Sequence, residues 1–582
     1  MISAASRQNP SGSARLRRYA SAYAPTFASL RLVGDAVPAS TGTVLTRRSP
    51  DQVRVTRAIT EPAQTAAMAA TPRADVIVVG SGAAGLAAAL TTARAGLGTI
   101  VLERTGLLGG TSAMSGGLVY APGSRPAREA GHVPDPGAVT GYLEAVARRP
   151  IDKARLEAFL EAAPAMVDEL AGAGVAFRLT GLVDYYRDAP GAGPGHVLGT
   201  HPFDPSGLGG LAARVRRSPY RGPEELWTAG TGLVGHLVAA CARAGVRFRT
   251  SCRARKLLVE DGRVAGVLTG GCAESVAVRA PDVVLASGGF EFDDGLLREW
   301  VGAPLEGSWS CPGNEGDGLA MARTAGAGLS GMGEVQWYAL LRLSDEEREG
   351  APLMHDASPA RNLPGSIIVD RNGRRFANEG TLYQDFGRAV ADPDAARLPA
   401  WLVVDAGFLD RYRERCFGDR PLTPPHWLSA GTISELAGLI GADAAVLTET
   451  VERFNAGAAR GLDPDFGRGE AAVDREWGDG DREGARACLA PLERGPFHAT
   501  RVYAGSSGTT GGPSVDPDAR VLDGAGAPIP GLYAAGNITA GVFGDSSPAS
   551  GATLGPGMTF GHLAGRAIAA GRRDAHTDHK EA

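Results

Sequence analysis

The chain has 582 residues, with 59 Lys and Arg against 64 Asp and Glu and a formal net charge of −5. That length supports two or more domains and a sizeable core. The slightly acidic balance, without a basic stripe, argues against a nucleic-acid partner. No apolar run approaches the roughly 20 residues of a membrane span.

The 82 glycines fall in short clusters, not in the Gly-X-Y repeat of collagen. Such clusters suit a backbone that must approach an extended ligand closely in several places. Cys241, Cys252, Cys272, Cys311, Cys416 and Cys488 form no Cys-x-x-Cys pair and no metal-ligand spacing. They read as reduced thiols of a cytoplasmic protein, and no metal site is expected.

Residues 1–71 are rich in Ala, Ser and Arg, poor in acid, and lack periodicity. They read as a disordered tail, a transit-type presequence, or the product of a start codon upstream of Met68. Val76 to Val79 is a continuous apolar run, as expected of a strand buried on both faces. Gly80-Ser81-Gly82-Ala83-Ala84-Gly85 follows, then a helical run from Leu86 to Ala95 and a second strand, Thr99 to Leu102, ending in Glu103 and Arg104. This is a dinucleotide fingerprint in its required strand–turn–helix–strand setting. Gly80 permits the tight turn, Gly82 lets the backbone approach a pyrophosphate, and Gly85 allows close helix–strand packing. The helix start offers N–H groups to phosphates. Glu103 is placed to accept from an adenosine ribose.

Next comes Gly109-Gly110-Thr111-Ser112-Ala113-Met114-Ser115-Gly116-Gly117. Small and hydroxyl residues here can line a ligand that extends past its pyrophosphate, which NAD would not require. The arrangement resembles the succinate dehydrogenase/fumarate reductase flavoprotein superfamily, and the resemblance implies FAD along Gly109, Gly110, Thr111, Ser112, Ser115, Gly116 and Gly117.

Further on, Leu233 to Arg243 reads as a helix. Val246 to Thr250, Ala254 to Val259 and Val264 to Leu268 read as strands. Another apolar run, Val283 to Phe290, reads as a buried strand ending in glycines; in the superfamily it lies near the adenosine side of FAD, implicating Ala286 and Gly288. Residues 336–500 lack any nucleotide fingerprint. They read as an inserted domain covering the substrate, with strands at Ile367 to Asp370 and Trp401 to Asp405 and helices at Ile433 to Ile440 and Asp443 to Ala456. The C-terminal part has strands at Arg520 to Asp523 and Leu532 to Asn537. A last helix opens in the glycine-rich run Gly551 to Gly561 and continues through Ala569. Its N-terminus would stabilise negative charge on a reduced flavin, implicating Gly536, Asn537, Ala552, Thr553 and Leu554. The expected organisation is therefore α/β: a Rossmann-like FAD-binding domain in two parts (72–335 and 501–572), an inserted α+β capping domain (336–500), and a tail at 573–582.

Seven stretches make the resemblance more specific: 110–117, 373–388, 463–470, 493–499, 508–512, 520–537 and 551–561. Over roughly residues 72–572 the chain resembles bacterial 3-ketosteroid Δ1-dehydrogenases. Those enzymes remove two hydrogens across a carbon–carbon bond next to a ketone, one as a proton to a base and one as a hydride to flavin N5. The resemblance implies Tyr383, after Asn378-Glu379, as the base, and Tyr185 as its assistant, with Tyr186 adjacent. It implies an oxyanion site at Ser547 and the Gly551 backbone N–H. The family has tyrosine where this chain has Ser547, which suits a substrate of another shape, such as a monocyclic or terpenoid ketone. The implied partners are a cyclic ketone and an external electron acceptor, a quinone or similar, because only one dinucleotide fingerprint is present. An enone or fumarate-type reductase and a non-catalytic flavoprotein are the alternatives. His498 and His562 are expected to be structural.

Overall fold

The computed structural model describes residues 73–219, 225–270 and 275–581. The expectation for residues 1–71 lies outside the described residues.

Val76–Val79 and Thr99–Leu102 are strands without an exposed residue, because helices or loops cover both faces of a parallel sheet. They belong to a six-stranded sheet ordered Arg520–Leu522, Pro528–Ala534, Asp282–Leu285, Val76–Val79, Thr99–Leu102, Arg247–Arg249. All pairs are parallel except the outer one, Arg520–Leu522 with Pro528–Ala534. After Val76–Val79 the chain pairs first to one side and later to the other. The carboxyl ends of these strands therefore form a switch point, where α/β sheets bind ligands. The helix Ala83–Arg94 packs against the sheet and the last helix. Arg253–Glu260, Arg263–Gly270 and Ser275–Arg279 form a separate antiparallel meander.

A second, seven-stranded sheet is built on two long strands, Leu329–Arg348 and Phe497–Pro513, paired antiparallel. Ala351–Asp356, Ala400–Asp405 and Ser366–Val369 extend it. The expected boundaries 335/336 and 500/501 each fall inside one of the long strands, so these strands run between the two parts of the fold.

Three of the element ends that differ from the sequence reading lie close to a left-handed glycine, and the helix read from Leu233 begins earlier, at Ala229. The strand expected to reach Phe290 stops at Leu285, before Gly288 at φ +80°. The strand expected to end at Asn537 stops at Ala534, before Gly536 at φ +84°. The last helix begins at Leu554, not Gly551, because Gly551 sits at φ +84°. That helix also runs to Glu581, past the expected end at Ala569. Beyond Gly571 no glycine or proline interrupts it.

Candidate active site

The switch point opens into a cavity of about 2240 Å³. That exceeds the roughly 300–1,000 Å³ of a pocket for one small ligand and suits a long cofactor with a substrate beyond it. Its wall carries Gly80, Ser81, Gly82, Ala83, Ala84, Glu103, Arg104, Gly110, Thr111, Ser112, Ser115, Gly116 and Gly117 from the first segments. Ala286, Gly288, Gly536, Asn537, Ala552, Thr553 and Leu554 join them from distant parts of the chain. Gly85 and Gly109 are not on the wall; they let the wall close up. A Cβ at Gly85 would stand 2.2 Å from Gly80 O, and one at Gly109 2.8 Å from the Ala113 Cβ. At Gly80 (φ +104°) a Cβ would meet Ala286 O at 2.3 Å.

Several expected cofactor contacts are already bonded within the protein. Glu103 accepts from Ser81 Oγ at 2.6 Å and from Thr105 N at 2.9 Å. Ser112 Oγ accepts from Ala83 N at 3.0 Å, occupying one helix-start donor. Arg104 is tied to Glu315 at 2.8 Å and Gly313 O at 2.9 Å, in a cluster with Asp317 and Arg253. Glu103 also accepts from Ser81 N at 3.3 Å and Thr105 Oγ1 at 3.1 Å, so its roughly four lone-pair sites are engaged within the protein and a ribose would have to displace one of these donors. The glycine-walled cradle fits an extended dinucleotide, and FAD is the group this site takes.

The far end of the same cavity is lined by phenols. Tyr383 is the first residue of the helix Tyr383–Val390, and three devices set its position. Arg375 grips Glu379 at 2.6 and 2.8 Å and Asp463 at 2.8 Å, fully inside the protein. Glu379 also accepts from Ile368 N in the sheet at 3.1 Å. Gln384 accepts from Trp337 N at 2.7 Å and donates to Val335 O at 2.9 Å. A Cβ at Gly387 would lie 2.5 Å from Tyr338 N, so only glycine lets this helix approach the strand so closely. The result is a stack: the Tyr338 and Tyr383 rings lie 4.2 Å apart at 13°, with Trp309 4.9 Å from Tyr338.

Tyr185 comes from the flavin-binding part and meets Tyr383 edge-on, at 6.0 Å and 87°. Its neighbour Tyr186 turns away and donates to Asp385 at 3.1 Å; of the two adjacent tyrosines, Tyr185 is therefore the one beside Tyr383. Tyr185 Oη and Ser550 Oγ are 2.7 Å apart. Tyr383 Oη and Ser547 Oγ are 2.5 Å apart. Arg388, on the Tyr383 helix, pairs with Asp545 at 3.1 Å and holds the loop carrying Ser547 against that helix.

Ser547 is 1% exposed and does not line the cavity. The structure sets it at the Tyr383 hydroxyl and not on the cavity surface expected of a ketone donor, because serine lacks the reach of tyrosine. Gly551 does line the cavity, fixed between Leu118 and Tyr120; a Cβ there would lie 2.7 Å from Tyr120 N. Burial raises the Tyr383 pKa above the usual phenol value, while hydrogen bonds from Ser547, Tyr338 and Tyr185 pull it back down.

Sequence reasoning missed Tyr338 and Ser550. Tyr338 carried only the signal of an aromatic in the insert, and Ser550 that of a serine-rich loop. His562 is buried against Thr91 at 3.1 Å and lies on the helix interface, its pKa pushed down to about 4 by burial first and the Arg566 charge second. His498 bonds Trp427 at 3.2 Å. Both lie off the cavity wall. Among the described residues no group of His, Cys, Asp and Glu could hold a metal ion, and no helix is long and apolar enough to cross a membrane.

Comparison with known proteins gives a consistent picture. A family model described as an FAD binding domain matches residues 75–554. A 4-oxocyclohexanecarboxylate 2-dehydrogenase of Sinomonas cyclohexanicum is 40% identical over 86% of this chain and 94% of its own. A 3-oxosteroid 1-dehydrogenase of Mycobacterium tuberculosis is 34% identical over 86% and 99%. The crystal structure of 3-ketosteroid Δ1-dehydrogenase from Sterolibacterium denitrificans in complex with 1,4-androstadiene-3,17-dione superposes with a TM-score of 0.78 at 31% identity, covering 86% of this chain and all of that one. The chain belongs to this FAD-binding flavoprotein family, with the cyclic-ketone dehydrogenases among its relatives, and is an FAD-dependent oxidoreductase.

Proposed function

We propose that the protein desaturates a cyclic ketone next to its carbonyl, with Tyr383 taking the α-proton. The single observation that carries this is the Tyr383 hydroxyl, held on the cavity wall among Ser547, Tyr338 and Tyr185. FAD, when bound, supplies the two-electron acceptor for hydride from the β-carbon. One proton and one hydride leave, and a C=C bond forms.

A neutral phenol is a poor base, because its pKa lies near ~10. Hydrogen-bond donors around Tyr383 Oη stabilise the phenolate, and so make the proton transfer accessible. Ser547 has one proton to donate. Donated to Tyr383 it cannot also serve the ketone, so the Gly551 backbone N–H is the donor assigned to the developing enolate oxygen. Tyr185, braced by Ser550, closes the edge of the Tyr383 ring.

The relatives act on 4-oxocyclohexanecarboxylate and on 3-oxosteroids by name, and both are candidate substrate types. The acceptor of the electrons is external and not nicotinamide, a quinone or similar, since one dinucleotide fingerprint serves FAD. Free cysteines at all described positions support a reducing, cytoplasmic setting.

The test is anaerobic mixing of the yellow holoenzyme with androst-4-ene-3,17-dione and, separately, 4-oxocyclohexanecarboxylate, following flavin absorbance near about 450 nm. Bleaching with either, lost in Tyr383→Phe while FAD stays bound, supports the reading. Bleaching that survives Tyr383→Phe removes the base assignment. No bleaching with any ketone, together with oxidation of the reduced enzyme by fumarate or an enone, would replace the desaturase by a reductase.

A further inference from the structure

The cavity that the phenols line is also walled by arginines. Arg415, Arg420 and Arg475 all line it. Arg415 donates to Gly478 O at 3.3 Å and Arg420 to Phe417 O at 3.2 Å. Arg475 donates to Gly469 O at 2.8 Å and to Glu470 O. These partners are backbone carbonyls, and none of the three guanidiniums has a carboxylate partner among the described residues. The neighbouring Arg187 differs, being paired with Glu476 at 2.5 Å. Asp481 is engaged by Arg411 outside the wall, at 3.2 Å. Glu483 is an exposed carboxylate on the wall without an ion pair among the described residues. Asp356 is half-buried and accepts from Ser358 N at 2.8 Å; burial raises its pKa from the ordinary value. The balance of unpaired charge is positive.

These arginines are tied to the reaction end through short steps. His355 and Asp356 lie on the strand beside Leu341 and Leu340, next to the Tyr338 segment. Burial and then the Arg420 charge push the His355 imidazole down to about 4, so Arg420 faces a neutral ring. The Cys416 thiol donates to Pro359 O at 3.2 Å, fastening the Arg415 helix end to the segment after Asp356.

A guanidinium has five N–H donors, so one or two bonds to carbonyls leave others for a ligand. A wholly apolar substrate would desolvate these cations and return nothing. A carboxylate would be met by charge-assisted hydrogen bonds, bidentate where one guanidinium takes both oxygens.

We infer that the substrate is an anionic cyclic ketone, with its carbonyl at the phenol end and a carboxylate against the Arg415, Arg420 and Arg475 wall. This rests on the ketone-desaturase reading and narrows it.

The test compares kcat/KM of the holoenzyme for a cyclohexanone bearing a ring carboxylate and for its methyl ester, at low and high salt. The acid is expected to exceed the ester by roughly tenfold or more. That ratio should shrink as salt is raised, because accessible charges are screened over about 10 Å at 0.1 M. It should also fall in Arg415→Gln, Arg420→Gln and Arg475→Gln combined, and be retained in the three Arg→Lys counterparts. A wild-type ratio near one at low salt overturns the inference while leaving the desaturase reading intact; it needs no variant to fold. A ratio that no Gln substitution changes overturns the arginine assignment. Turnover of neither compound overturns the inference, and the desaturase reading falls with it only if androst-4-ene-3,17-dione also fails to bleach the flavin.

Discussion

Replacing Ser547 by alanine separates two roles for its hydroxyl. In the structure that hydroxyl is 2.5 Å from Tyr383 Oη and off the cavity wall. A hydrogen bond to a charged group is worth about 1.5–3 kcal/mol. About 1.4 kcal/mol is a factor of ten in an equilibrium, so losing the bond raises the Tyr383 pKa further. Burial already holds that pKa above the phenol value, so at neutral pH only a small fraction is phenolate. That fraction falls by about ten- to a hundredfold in the variant. The stronger base recovers part of the loss through Brønsted behaviour, leaving a decrease of about tenfold in the bleaching step. Because the folded-state pKa is raised, the rate of wild type and variant alike should climb with pH between about 7 and 9. The assay is anaerobic single-turnover bleaching across that range, paired with the carbonyl stretch of a bound ketone. The expected result is a slower proton transfer with an unmoved carbonyl frequency. A carbonyl band that shifts on removing the hydroxyl would show that Ser547 donates to the ketone. An unchanged rate would show that it serves neither group.

Other outcomes follow from the same geometry. Tyr338→Phe keeps the 4.2 Å stack and removes one donor to Tyr383, so kcat should fall by about three- to tenfold with KM little changed; Tyr338→Ala should raise KM as well. Gly80→Ala places a Cβ 2.3 Å from Ala286 O at φ +104°, and the purified protein should carry little FAD, read from its flavin-to-protein absorbance ratio. Asp463→Asn leaves Arg375 short of one buried partner and should lower unfolding free energy by about 3–5 kcal/mol in urea titrations. Burial opposes ionisation of Glu379 and Asp463, but Arg375 outweighs it and holds both below the usual carboxylate range. Their contribution is therefore present above the unfolded pKa near ~4 and is lost as pH falls through the folded values. The stability–pH slope below about pH 4 should be shallower in Asp463→Asn.

The nucleotide cradle was legible in the sequence because it is local. A strand, a glycine turn, a helix and a second strand between Val76 and Leu102 carry their own geometry, and Gly85 is demanded by a contact with Gly80 O inside that unit, whereas Gly80 is closed in by Ala286 from a distant strand end. The element ends were misjudged where glycine adopts left-handed backbone, since Gly288, Gly536 and Gly551 look in sequence like any flexible position. The resemblance supplied Tyr383 and Tyr185, but it could not decide which hydroxyls surround the base. Tyr338 is 45 residues from Tyr383, and Ser547 is 164 away. They meet only because Gln384 and Gly387 lock the helix to the long strand, and because Arg388 pins the loop at Asp545. The sequence by itself determined the FAD-binding half and the kind of chemistry. Only the tertiary structure decided that the Ser547 hydroxyl meets Tyr383 Oη, because that depends on distances between segments that no local pattern encodes.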